Sequence, residues 1–241
     1  MHSSMTMEVP LAYGTKGLLI ELPSAITTVV EPTYTPPVED PATTLQRALR
    51  EPIGNTQPLR EAVRSGDQLA ISICDITRPQ PRRAMVEAIL DELDGVVDPE
   101  AVTLLIATGT HRPSKPHELT AMLGDDLIAS CRIIDHDARD ISALVNLGGV
   151  GQVESVLLNR AWMEADVRIT TGFVEPHFFA GFSGGPKMVA PGLAGLATVL
   201  ELHDARRIGD PRATCGYAKE IRSMTMCVPS PQAPASTMRW M

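Results

Sequence analysis

Three short passages and one later histidine concentrate the side chains able to do chemistry. Asp75-Ile76-Thr77-Arg78-Pro79 sets a carboxylate and a guanidinium three residues apart, in a turn ending at proline. The fork of an arginine suits a carboxylate or a phosphate. Read without function, Asp75 caps the helix starting at Pro81 and Arg78 makes a surface ion pair. Ala107-Thr108-Gly109-Thr110-His111-Arg112-Pro113 joins a small-residue turn, of the kind that favours anions, to a histidine placed to act as a general base. The plain alternative is a half-exposed loop histidine.

The stretch from Thr171 to Lys187 is the richest, with Glu175, His177, all four phenylalanines, Gly181, Gly184, Gly185 and Lys187. A Gly-Gly pair lets backbone approach a ligand closely. A lysine in an apolar, glycine-lined pocket loses hydration, so its pKa falls and its amine becomes nucleophilic. Packing in the core accounts for at least two of the phenylalanines without any function. Met188 follows Lys187, so the GxxxxGK[ST] spacing of a triphosphate loop is not met. Gly181-Phe182-Ser183-Gly184-Gly185 fits GxSxG literally, which raises a Ser183/His177 hydrolase. A nucleophile elbow needs a strand running straight into the serine, however, and the preceding strand ends near Thr170. His203, beside Asp204, reads either as a surface helix residue or as a metal ligand. One imidazole does not define a protein-only metal site, which takes three or four ligands.

The elements around these passages alternate. Strands are expected at Leu18–Leu22, Ile26–Val30, Gln68–Cys74, Val102–Ala107, Cys131–Ile134, Val153–Leu158 and Val167–Thr170. Helices are expected over Pro41–Arg50 with Asp40 as N-cap, Pro81–Leu93, Ser114 to about Leu123 with Gly124 closing it, Asn159–Glu164, and around Leu196–Arg206. Strands apolar on both faces, alternating with helices, predict an α/β fold with a mostly parallel, Rossmann-like sheet flanked by helices. Ligands in such sheets bind beyond the carboxyl ends of the strands, where all three passages fall. Residues 1–222 read as this domain and 223–241, rich in Pro, Ser, Ala and Met, as an irregular tail.

The chain has 241 residues, 44% of them hydrophobic, so a globular core is expected. Its net charge of -8 argues against a nucleic-acid partner, which needs a basic face. No apolar run is long enough to span a membrane and the N-terminus lacks a signal-peptide pattern, so a membrane partner is not expected. The widely spaced Cys74, Cys131, Cys215 and Cys227 suit reduced thiols and a cytoplasmic location, with Cys74 and Cys131 as small core residues in strands. Six histidines and four lysines make their placement informative.

Taken together, Asp75-x-Thr77-Arg78-Pro79, Gly109-Thr110-His111-Arg112, Glu175-Pro176-His177 through Gly184-Gly185-Pro186-Lys187, and Leu202-His203 resemble the nickel-dependent lactate racemase family in order and spacing. The resemblance covers about Leu18 to Arg212, the N-terminal domain of such enzymes. It implies racemisation or epimerisation of a lactate-like 2-hydroxy acid through a nickel pincer nucleotide, a pyridinium mononucleotide carrying two sulfur groups. It implies that Lys187 tethers this cofactor covalently and that His203 is the protein ligand to nickel. His111 and His177 would then be the acid/base pair and Arg78 the anchor of the substrate carboxylate. Asp75, Thr108, Gly109, Thr110, Gly184 and Gly185 would contact the cofactor. Cofactor-assembly proteins are implied as partners. Family members carry a second α/β domain that closes over the site; the expectation here is a chain without it and an open site. The alternative is a non-catalytic nickel- or nucleotide-binding module.

Overall fold

The computed structural model describes residues 5–54, 56–150 and 153–217. The expected tail at 223–241 lies outside them. The chain divides into two compact units, Met1–Glu39 and Asp40–Met241.

In the first unit, strands β1 (Thr6–Leu11) and β2 (Leu18–Pro23) form an antiparallel hairpin that pairs Thr6 with Pro23 and Leu11 with Leu18. The expected strand at Ile26–Val30 does not form: Ser24–Ile26 is a 3-10 turn and the chain beyond it is irregular. Val30 is exposed. β-Branched residues favour a strand through their neighbours on a sheet, and this run pairs with no strand.

The second unit is built on a four-stranded parallel sheet of β3 (Leu69–Cys74), β4 (Val102–Ala107), β5 (Arg132–Asp135) and β8 (Val167–Thr170). Their order across the sheet is β5-β4-β3-β8. β3 is buried at all six positions, which explains its apolar text, interrupted only by Ser72. Side chains alternate between the faces of a strand, and here the alternation sorts by size. Leu69, Ile71 and Ile73 join Val102, Leu104 and Ile106 in one core. Helices α3 (Arg82–Glu92) and α4 (Pro116–Ser130) cover that face with Val86, Ile89, Met122 and Leu123. On the other face Ala70, Ser72 and Cys74 are small, and the segment around Met188 lies close: the Ser72 hydroxyl donates to the Met188 carbonyl at 3.0 Å. Leu105, Trp162, Val189, Leu193, Val199 and Leu202 fill that second core.

The remaining elements are α1 (Pro41–Arg50), α2 (Leu59–Ala62), the antiparallel pair β6 (Leu144–Asn146) and β7 (Leu157–Asn159), and α5 (Arg160–Glu164). Two-residue strands β9 (Pro176–His177) and β10 (Gly181–Phe182) form a small hairpin, and α6 (Leu196–Leu202) and α7 (Ala205–Ile208) close the unit. Asp40 caps α1 as expected, accepting from the Thr43 amide at 3.0 Å. Cys131 is buried but precedes β5 rather than lying in it. The expected Val153–Leu158 strand is confined to its end, because Val153 bridges Val150 and Val156 bonds Leu147 and Gly148 instead of extending the strand. Gly124 does interrupt α4, with φ 78°, but the helix resumes to Ser130. Ser114 does not start it: its amide bonds the Asp135 carboxylate at 2.6 Å, and helical residues begin at Pro116. The helix expected over Leu196–Arg206 breaks at His203, since Asp204 caps α7 by accepting from the Arg207 amide at 2.7 Å.

Among the described residues no helix is long and apolar enough to cross a membrane.

Candidate functional site

Relative to the order of the chain, the sheet runs outward from β3 to β4 and β5 and then returns to β8 on the opposite side of β3. The loops after β3 and β8 therefore diverge and leave a crevice at the carboxyl ends, the place where such sheets take ligands. A cleft of about 580 Å³ lies there. Asp75 and Arg78 line it from the loop after β3, and Thr108, Gly109, Thr110 and His111 from the loop after β4. His177, Gly184 and Lys187 enter from the loop after β8, and His203 from the end of α6. Of the expected site residues, Gly185 alone is not in its wall.

Local bonding explains how each loop is held. Arg82, buried at the start of α3, gathers the backbone carbonyls of Cys74, Asp75, Arg78 and Gln80 on its guanidinium. The buried Gln80 amide bridges the Cys74 amide and the Thr171 hydroxyl, tying the loop after β3 to the end of β8. Neither residue signals this in sequence, because each acts on backbone groups brought near only by folding. Asp75 does not cap α3: one oxygen accepts from the Thr77 amide and hydroxyl, and the other lies 2.6 Å from His111 Nδ1. Arg78 is half-exposed, 4.0 Å from Glu175.

The turn after β4 rests on the segment beyond Lys187, with the Gly109 amide donating to the Gly192 carbonyl at 2.9 Å. Gly192 is required by close approach: a Cβ there would lie 2.7 Å from the Met188 carbonyl oxygen and 2.9 Å from Ala107 Cβ. Gly184 has φ +72°, and its Cβ would meet Val174 Cγ2 at 3.1 Å, so its freedom serves the turn of its own loop. Ser183 does the same: its hydroxyl donates to the Phe173 carbonyl at 2.5 Å and accepts from the Glu175 amide at 2.9 Å. Among the described residues no histidine bonds it, so the Ser183/His177 hydrolase arrangement is not formed.

Phe179 organises the far wall. It is buried, with its ring edge-on to His177 at 4.7 Å and to His203 at 5.3 Å, and Lys187 Nζ lies 5.7 Å over its centre. Phe178, by contrast, is exposed and stacks on His177 at 4.8 Å. Burial, assisted by the Arg78 charge and opposed by Glu175, brings the Lys187 ammonium down to about 8. Burial, then the charges of Lys187, Arg78 and His203, bring His177 down to about 4, so it is neutral near pH 7. Arg139, not singled out in the sequence, also lines the cleft.

Among the described residues no three His, Cys, Asp or Glu side chains converge as a metal site. A metal in this cleft would need most of its donors from another molecule. His203 could serve as a single protein donor. Its Nδ1 donates to the Val199 carbonyl at 2.7 Å, which leaves the Nε2 lone pair uncommitted, the usual arrangement of a metal-binding imidazole. One such imidazole beside a partly desolvated amine fits a cofactor that brings its own metal donors.

Fold and cleft together define an α/β domain with a ligand site at the carboxyl ends of a Rossmann-like parallel sheet. Residues 13–216 match the family model of the lactate racemase N-terminal domain, and the chain belongs to that family. It is 36% identical to a lactate racemase of Lactiplantibacillus plantarum over 173 residues, 72% of this chain and 41% of that one. It is 36% identical to a lactate racemase of Thermoanaerobacterium thermosaccharolyticum over 172 residues, 71% of this chain and 40% of that one. The structure of the lactate racemase apoprotein from the latter organism superposes with a TM-score of 0.78 at 30% identity, over 91% of this chain and 52% of that one. A Thermotoga maritima protein shares the fold alone, with a TM-score of 0.54 at 22% identity. The chain thus spans less than half the length of the curated relatives it matches.

Proposed function

We propose that this chain is the cofactor-anchoring part of a racemase or epimerase of lactate-like 2-hydroxy acids that uses a lysine-tethered nickel pincer nucleotide. The observation that carries the reading is the convergence of His111, His177, Lys187 and His203 on one cleft of a lactate racemase N-terminal domain. When bound, such a cofactor supplies reversible acceptance of a hydride, which avoids removing a very weakly acidic α-hydrogen as a proton. The chain's own residues do the rest. Lys187, partly desolvated, offers a free amine for the tether, and His203 Nε2 offers a lone pair to the nickel. Gly109 and its neighbouring threonines shape the opposite wall. Arg78 pairs with the substrate carboxylate. His111 and His177 handle the hydroxyl proton. The reading carries with it cofactor-assembly proteins as partners and a cytoplasmic location.

A second reading, a binding module without turnover, is favoured by one observation. The His111 side chain is 53% exposed and that of Arg78 42%, so water reaches groups that a closed active site would shield.

The test is co-expression with the cofactor-assembly proteins, followed by intact mass and nickel content. An adduct on Lys187 with about one nickel per chain is expected. Unmodified, nickel-free protein would refute both readings. Lactate racemisation abolished by His111→Ala or His177→Ala selects the enzyme; adduct and nickel without racemisation select the module.

A further inference from the structure

The geometry points to opposite tautomers in two of the three cleft histidines, His111 and His177, with Asp75 as the positioning residue that fixes the first, so that His111 presents a lone pair and His177 an N–H to the same bound oxygen. The role of that oxygen, a 2-hydroxy acid hydroxyl, rests on the function proposed above; the tautomers do not.

His111 Nδ1 lies 2.6 Å from Asp75 Oδ2, on a carboxylate only 8% exposed. A carboxylate has no hydrogen to give, so Nδ1 must carry one. In the neutral ring Nε2 is then the acceptor. Around His177 the partners are reversed. Its Nδ1 lies 3.2 Å from the Ala180 amide nitrogen and 3.5 Å from that of Phe179, and both are donors. Nδ1 must accept, so the hydrogen of the neutral ring sits on Nε2. The ring packs against both Phe178 and Phe179, which themselves meet at 4.6 Å. The ordinary imidazole range lies well above the value near 4 at which His177 protonates, consistent with a neutral ring facing Lys187, Arg78 and His203.

A hydroxyl donates one hydrogen bond and accepts others. Between these rings it donates to His111 Nε2 and accepts from His177 Nε2–H. The two histidines are therefore not interchangeable. His111 is ready to receive a proton, forming an imidazolium whose Nδ1–H remains on Asp75. His177 could serve as a base only by moving its hydrogen to Nδ1, against the Ala180 N–H. This gives Asp75 a task other than the cofactor contact implied by the resemblance.

The test is a two-bond proton–nitrogen correlation spectrum of the whole chain with nitrogen-labelled histidine, on the alkaline side of each ring's titration. Signals are assigned by their loss in His111→Gln and His177→Gln. Unprotonated Nε2 in His111 and unprotonated Nδ1 in His177 are expected. Asp75→Asn should reverse His111 alone. The amide oxygen stays with the Thr77 N–H, which turns the NH2 group toward His111 Nδ1 and makes that nitrogen an acceptor. The same tautomer in both wild-type rings, or an unchanged His111 in a folded Asp75→Asn, would overturn the proposal. Should that variant not fold, the wild-type spectrum still decides. The spectrum needs no cofactor, so a missing Lys187 adduct would refute the function while leaving the tautomers standing.

Discussion

The ionisation of Lys187 can be measured in this chain without any cofactor. Its ammonium is held at about 8 against an ordinary 10.5, chiefly by burial. At pH 7 roughly 10% of the amine is then free, against roughly 0.03% for an ordinary lysine, a gain of about 300-fold. The perturbation is Phe179→Ala. It has two opposing effects. Losing the ring 5.7 Å from Nζ removes a cation–π attraction of about 0.5–1 kcal/mol, which by itself lowers the value by less than one unit. Admitting water where the buried ring stood relieves the desolvation that dominates the shift, and raises it. The larger effect wins, and the value should climb to about 9 or above, cutting the free amine at pH 7 about tenfold. The assay is acylation by a limiting reagent across a pH series, with each lysine followed by mass spectrometry. With only four lysines in the chain, the peptides are readily told apart. A wild-type midpoint near 10.5, or an unchanged midpoint in Phe179→Ala, would refute the argument from burial.

Three further outcomes follow from the same structure. The stability gap between Lys187→Met and wild type should be widest below about pH 8, where folding must strip a proton or bury a charge, and should close as pH rises toward 10.5; urea unfolding across that window checks it. Arg82→Ala should cost about 3 kcal/mol or more in urea unfolding, because it strands buried carbonyls that the guanidinium now satisfies, and it should loosen the loop carrying Asp75 and Arg78. Gly192→Ala should cost about 1–3 kcal/mol by the same measurement, since its Cβ meets backbone oxygen at 2.7 Å; a neutral result would show that the segment can shift.

The fold class was legible because a buried parallel sheet writes itself as mostly apolar, β-branched runs, and β3, β4 and β8 stand close to their expected bounds. Local pattern misleads where it depends on a distant partner. Ile26–Val30 has strand composition but pairs with no strand, and Ser114 was drawn from its helix by Asp135 on another strand. Arg82 and Gln80, which hold the loop after β3, gave no warning because their ligands are carbonyls and amides common to every residue.

The amino-acid sequence by itself determined which residues could do chemistry and that they lie after strands of one parallel sheet, since apolar periodicity and residue type are local properties. Only the tertiary structure decided what state each is in. The Asp75 carboxylate on His111, the Ala180 amide on His177, the Val199 carbonyl on His203 and the Phe179 ring under Lys187 set tautomer, lone pair and charge. Protonation responds to hydrogen-bond partners and dehydration over a few ångströms, and only folding fixes how the elements carrying these groups meet around one cleft.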